Sequence, residues 1–460
     1  MGAGGNAVLR RYSRRGDVPA AQDAEVHRVA DLLLRIGDLL VASGAATSDV
    51  EASVVAAANA LGVPRTEVDI TFTAVTVTLV RDDGPPITQV RVVRQRSANY
   101  TRLVAVHRLV VELVEHGLSR REALTALTSI EEQPPTYPRW LVAVAWGVLA
   151  GAVTQVLDGT IVVAAIAFGA TVVVDLLGRL LNRRGWPEFY LNVLGALVVT
   201  LVAVSLMAAD APVRASLVVA GGIIVLLSGV GLVATVQDAI TGFLVTAAGR
   251  AVEVLLLTAG IVIGVALGLF VAQQLGVAIA VRPPATVTLD DLPWRFFAAG
   301  IGAAAFAVAH HTPLRLVLPG GLAGVVSFTV WVSTLQWIDA PAAAAGVAAV
   351  GAGLASHVLA LRLDAPPLVV VMPSIVILLP GLTIYRGMLL LSDGDSVAGL
   401  LTLFDAATIG LALAAGVLLG EIIGQPVRRE LSRVERRLSG PRLIGPSRLR
   451  PRIPRRLGRR

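Results

Sequence analysis

The sequence predicts a polytopic α-helical membrane protein: ten transmembrane helices as two inverted five-helix repeats, preceded by a small α+β cytosolic domain. Three observations carry this. Of 460 residues, 55% are hydrophobic and only 15% charged, with a mean hydropathy of +0.75; ordinary soluble domains are about a quarter charged. Ten apolar stretches follow residue 139, each near the roughly 20 residues that a bilayer crossing requires. The chain also matches itself at one informative offset, 152 residues.

Composition excludes several chemistries. Cys is absent, which removes disulfides, thiolate catalysis and Cys-based metal sites. All 39 basic residues are Arg, so no P-loop or Schiff-base lysine exists. Residues 1–139 balance 16 Arg against 16 acids, residues 140–426 carry 10 Arg against 14 acids, and residues 427–460 hold 13 Arg against two Glu. The positive excess thus sits in one tail directly after an apolar segment. It is expected to set topology and touch anionic lipid, with no role in nucleic-acid binding.

Residues 1–23, rich in Gly, Arg and Ala, are expected to be disordered, and residues 24–133 to form the cytosolic domain. Val26, Val29, Ala30, Leu33, Ile36 and Leu40 keep helical spacing up to Gly44. Ser48 with Glu51 reads as a capping box opening a second helix. Residues 67–80 alternate as one strand, a turn covers Arg81–Pro86, and Thr88–Arg94 reads as a second strand. Helices follow at about 98–116 and, from the Ser119/Glu122 capping box, 120–131, giving an αα-ββ-αα module. His27, His107 and His116 are singletons without a nucleophile or metal-ligand spacing around them. The start lacks signal-peptide features, which places the domain in the cytosol.

A Pro-rich linker at 134–139 leads to a first membrane half at 140–277, an extracytoplasmic linker at 278–293, a second half at 294–426 and the Arg-rich cytosolic tail at 427–460. The expected spans are 140–157, 160–178, 189–209, 213–236 and 251–277, then 294–312, 315–338, 341–361, 367–391 and 398–423. An even count puts both termini on one side. Arg179, Arg183, Arg184, Arg250, Arg315 and Arg362 on the terminal side, with the tail, make that side cytosolic at the cell membrane. Trp140, Trp294 and Trp337 lie at span ends as interfacial anchors do.

At the 152-residue offset, Ile223–Gly229 falls on Ile375–Gly381, Glu253 on Asp405, and Gly264–Gly268 on Gly416–Gly420. A repeat of five spans must invert between halves. Inverted repeats with interrupted helices mark secondary transporters whose substrate site lies where the breaks meet.

At these residues the sequence resembles the threonine/serine exporter family. The run Leu39-Leu-Val-Ala-Ser-Gly-Ala-Ala-Thr47-Ser-Asp-Val-Glu51 is similar to its N-terminal signature, and Asn99, Tyr100, Arg102 and the Pro134–Pro138 linker also recur. Ser228-Gly229, Asp238, Gly242, Arg250 and Glu253 resemble the first-half pattern; Pro373 and Leu378–Arg386 resemble the second-half one. Two departures stand out: Ala46 replaces an acidic residue, and Ser228 replaces a proline, which implies a milder break in span 4. The resemblance covers about residues 26–425 and implies export of small hydroxylated amino acids, threonine and serine, driven by the proton gradient.

Ser228, Gly229, Pro380, Gly381 and Thr383 are therefore expected along the substrate path, with Ser228 and Thr383 placed to bond a substrate hydroxyl. Ionisable residues inside spans are costly and tend to be functional. Asp405, among apolar neighbours in span 10, is the expected proton-coupling residue through partial burial. Glu253, one turn from Arg250, is its repeat mate and the second candidate. Asp238 at the cytosolic end of span 4, Arg250, Arg386, His310 and His311 are accessory candidates, whereas Asp175 and Arg179 read as a boundary ion pair. No cofactor is implied and no His–carboxylate spacing suits a metal. Two other readings stay open: export of small dicarboxylates on the same scaffold, with Arg386 as the only added cation, and a non-transporting membrane sensor or enzyme.

Overall fold

The computed structural model describes residues 20–80, 85–94, 98–209, 211, 214–277 and 292–431. The expected disorder before residue 20, the turn at 81–84, the linker at 278–291 and the tail beyond 431 lie outside the described residues.

The N-terminal domain packs helices α1 (Ala20–Ala42) and α2 (Thr47–Ala60), strands β1 (Thr66–Thr71), β2 (Ala74–Leu79) and β3 (Ile87–Val92), then helices α3 (Tyr100–His116) and α4 (Arg120–Glu132). The strands form one antiparallel sheet in the order β1-β2-β3. Val75, Val77 and Leu79 alternate inward as expected and are fully buried. Gly37 lets α1 approach β2, since a β-carbon there would stand 3.0 Å from Val75 Cγ1. The Ser119/Glu122 capping box is formed, and Asn99 caps α3 through the Arg102 amide. Arg102 also donates to the Glu131 and Gln133 carbonyls, holding the start of the Pro-rich linker.

Two expectations fail here. Residues 67–80 are not one strand but a hairpin, because Phe72 and Thr73 form a tight turn and Ala74 pairs back onto Thr71. Alternation alone cannot reveal a turn without Gly or Pro. The Ser48/Glu51 capping box is also absent: α2 starts at Thr47 after Ala46, and the Ser48 hydroxyl is buried without a hydrogen-bond partner.

The remainder is helical: α5 (Arg139–Val156), α6 (Ile161–Arg183), α7 (Glu188–Ala208), α8 (Ala215–Leu226), α9 (Gly229–Ile240), α10 (Leu244–Gln274), α11 (Leu292–Ala309), α12 (Leu314–Leu335), α13 (Pro341–Leu363), α14 (Leu368–Ile375), α15 (Gly381–Ser392) and α16 (Ser396–Leu431). Among the described residues, eight segments, with α14 and α15 counted as one, are long and apolar enough to cross a membrane. The bent pair α8–α9 makes a ninth, and α11 is apolar but shorter. Their outward faces carry large apolar side chains such as Leu255, Phe270, Leu400 and Phe404, each more than half exposed, as a lipid solvent allows. Trp140, Trp294 and Trp337 are exposed at span ends, and Asp175 pairs with Arg179 at 2.6 Å.

Helix starts repeat along the chain. α6 and α7 begin at 161 and 188, and α12 and α13 at 314 and 341, an offset of 153 each time. α9 and α10 begin at 229 and 244, α15 and α16 at 381 and 396, an offset of 152. The spacing extends beyond the last two spans of each half, where the sequence match was found, to the second and third.

Small-residue seams recur at the same offset. Gly264 and Gly268 of α10 sit on α7, where added β-carbons would collide with the Val193 carbonyl and Thr200. Gly416 and Gly420 of α16 meet the Gly346 and Val350 carbonyls of α13 in the same way. Close backbone approach of this kind drives helix packing where lipid offers no hydrophobic contrast. Gly264→Ala should therefore cost about 1–3 kcal/mol by overpacking, read as a lowered thermal midpoint of the purified protein, whereas Gly169→Ala, with open space around it, should leave the midpoint unchanged.

Candidate functional site

The apolar runs of α8 and α14 end at matching turns. Ser228 (φ −79°, ψ 65°) and Pro380 (φ −82°, ψ 45°) precede helices starting at Gly229 and Gly381. In each turn the glycine amide donates to the carbonyl two residues back, Gly229 to Leu227 and Gly381 to Leu379, both at 2.9 Å. These are inverse γ-turns. The break at Ser228 bends its span by 52°, so the mild interruption expected from losing proline is not found. The turn is set by backbone angles that serine adopts as readily.

The two breaks touch. Leu379 lies against Gly229, where an added β-carbon would stand 3.1 Å from Leu379 Cδ1. Gly381 lies against Ile224 and the Ala220 carbonyl at 2.9 and 3.0 Å by the same measure.

A cavity of about 300 Å³ opens beside them. The first break supplies Leu227 to Gly231, and the second supplies Met372, Ile375, Val376 and Leu379. Polar groups come from Glu188 at the start of α7, from Arg250 and Glu253 on α10, and from His310 after α11. Trp146 and Phe306 add aromatic wall, their rings edge-to-face 6.1 Å apart. The charges of Glu188 and Glu253 interact with each other.

Of the residues picked from sequence, Ser228, Gly229, Arg250, Glu253 and His310 line this cavity; Pro380, Gly381, Thr383, Asp238, Arg386, His311 and Asp405 do not. Asp405 is exposed on α16 beside Phe404, so it lacks the partial burial that its assignment to coupling required. Apolar neighbours in sequence turned out to be neighbours on an outward face. Arg386 stands part-buried on α15 near Arg214. Glu188 was missed because the expected span began at residue 189. Its signal was Pro187, a helix-start residue that moves the boundary one step earlier.

The wall of the cavity is not made by the membrane helices alone. Val41, Ala42, Gly44 and Ala98 of the N-terminal domain also line it. That domain docks at three places. At the first, the Thr47 amide opening α2 donates to Asp238 Oδ1 at 2.9 Å, so a carboxylate from α9 caps a helix of the other domain. Arg250 completes the clasp, 3.3 Å from Asp238 Oδ2 and donating to the Ala45 carbonyl at 3.3 Å. Asp238 is fully buried there and the Arg250 side chain is 7% exposed; Asp238 stands two residues before the end of α9, at the end of its span, and is engaged by the N-terminal domain. Gly44 reaches this corner with φ +90°, a left-handed conformation that favours glycine.

At the second, the amides of Tyr100 and Thr101 at the start of α3 bond the His310 and His311 carbonyls, each at 3.0 Å. Tyr100 stacks on His310, Tyr137 stacks on His311, and Tyr137 donates to the Thr312 carbonyl at 2.8 Å. Burial pushes the Tyr100 hydroxyl up and keeps it neutral. At the third, the hairpin turn meets α10: Thr246 Oγ1 donates to the Ile70 carbonyl at 2.8 Å, and Phe72 covers Gly249. Among the described residues no three His, Cys, Asp or Glu gather as a metal site.

Membrane helices that break and meet beside a small cavity, apolar but for a few charged and polar side chains, define the chain as a membrane transporter. Residues 31–272 match the family model described as "Putative threonine/serine exporter", and residues 295–423 the one described as "Threonine/Serine exporter, ThrE". The chain belongs to the threonine/serine exporter family. It is 36% identical over 464 residues to the "Probable threonine/serine exporter" of Mycobacterium tuberculosis, covering 95% of this chain and 87% of that protein. Identity to the "Threonine/serine exporter" of Corynebacterium glutamicum is 34% over 413 residues, covering 88% and 84%. The "Probable succinate transporter subunit YjjP" of Escherichia coli matches at 26% over 249 residues, 54% of this chain and 96% of that protein. No solved structure matches.

Proposed function

We propose that this chain exports threonine, serine and similar small amino acids from the cytosol, in exchange for protons, and is not an enzyme. The cavity carries the reading. At about 300 Å³ it stands at the lower end of ligand pockets, about 300–1,000 Å³, which suits a small solute. Glu188 and Glu253 offer negative charge to an ammonium group. The half-helix opening at Gly229 presents its positive end to a carboxylate, and Ser228 offers a partner for a hydroxyl. Two acids against one arginine, already engaged by Asp238, favour a zwitterion over a dicarboxylate.

Counting α11 and the two broken spans gives ten crossings in two five-helix halves. An odd repeat inverts, and the shared offsets in helix starts and turns support that arrangement. Both termini then face the cytosol at the cell membrane, with the lipid bilayer as the protein's surroundings. Reporter fusions at residues 130 and 440 should both read cytosolic; opposite readings reject the ten-span topology.

For coupling, the cavity position of Glu253 supports it ahead of its repeat mate Asp405, which lies outside. The substrate test is efflux from cells loaded with a threonine-containing dipeptide, with and without the gene. Threonine and serine should leave faster with it, and succinate should not. Succinate efflux alone would establish the dicarboxylate reading.

A further inference from the structure

The N-terminal domain forms part of the cavity wall. We propose that this domain is the cytosolic gate, and that the buried Asp238–Arg250 clasp on the N-terminus of α2 is its latch. The inference rests on the export reading.

Val41, Ala42, Gly44 and Ala98 form wall of the same cavity that holds Ser228, Glu188 and Glu253. A solute arriving from the cytosol must pass between this wall and the membrane helices, so the wall has to lift. The three docking contacts differ in kind. The histidine turn gives carbonyls to helix amides, and the hairpin gives an aromatic side chain to a glycine. The clasp pairs formal charges, and it does so out of water. It also meets the cavity directly, because Arg250 lines it. A solute carboxylate reaching the cavity can compete with Asp238 for Arg250, which would free the amide end of α2 and loosen the wall. The clasp residues thereby tie domain position to what the cavity contains.

The absence of cysteine makes the test clean. A β-carbon on Gly249 would lie 3.1 Å from Phe72 Cβ, close to the roughly 3.5–4.5 Å span of a disulfide. In full-length Phe72→Cys/Gly249→Cys protein, oxidation should stop threonine efflux from proteoliposomes, and reductant should restore it. Fully cross-linked protein that exports at the reduced rate overturns the gate. Independently, Ala42→Cys reports opening through its alkylation by a maleimide in purified protein. Adding Asp238→Asn should raise that rate at least tenfold; an unchanged rate overturns the latch. Failure of the export reading would show separately, as wild-type protein without threonine or serine efflux. The alkylation comparison would then still decide whether the domain opens.

Discussion

Asp238→Asn should undock the N-terminal domain while leaving its own core folded. Breaking a buried ion pair by removing one partner costs about 3–5 kcal/mol, more than a hundredfold in an equilibrium. Here that cost falls on docking, because Asp238 belongs to α9 and its amide partner to α2. Hydrogen exchange should show it at residues 45–50, with little change at β2, whose inward side chains are fully buried. Arg250→Met alone should act similarly, leaving Asp238 buried beside the α2 amide only. The double variant Asp238→Leu/Arg250→Met should lose less than either single one, since removing both charges leaves neither uncompensated. Equal protection at 45–50 in wild type and Asp238→Asn would show that docking does not depend on the clasp.

Glu253→Gln should remove the dependence of threonine efflux on the proton gradient, and Asp405→Asn should keep it. Two carboxylates lining one cavity can hold a single positive charge in turn, a proton or an ammonium group. Asp405 has no such setting, being exposed on α16. The measurement is efflux from proteoliposomes with and without an imposed pH difference, together with exchange at equal pH. Glu253→Gln should retain measurable exchange while losing the response to the gradient. A normal response in Glu253→Gln and none in Asp405→Asn would return the coupling role to span 10.

The helices of this protein were legible because hydropathy and span length share one physical cause. The breaks were legible too, as Gly229 and Gly381 stood out at a common offset. Three things were not. The hairpin at Phe72 and Thr73 has no turn residues, and its place is fixed by Phe72 packing over Gly249, 177 positions away. Helix α2 looked self-capped through Ser48, yet its cap is Asp238 from another domain. The signature residues Gly44, Thr47, Asp238 and Arg250 read as scattered motifs and meet in one clasp. Such pairings depend on tertiary contact, which no local pattern encodes. Asp405 shows the converse: a sequence can place a carboxylate within a span but cannot say which way the helix turns it.

The glycine seams have a mechanical consequence. Backbones touch at the glycines along α7–α10 and along α13–α16, which leaves little side-chain padding there, so each couple should shift as one stiff beam. Compliance is left to the γ-turns at Ser228 and Pro380, where four short half-helices meet end to end. Motion in this protein should then resemble two beams pivoting about a shared pair of joints, and distance changes measured by spin labels should be small within a couple and large across the joints.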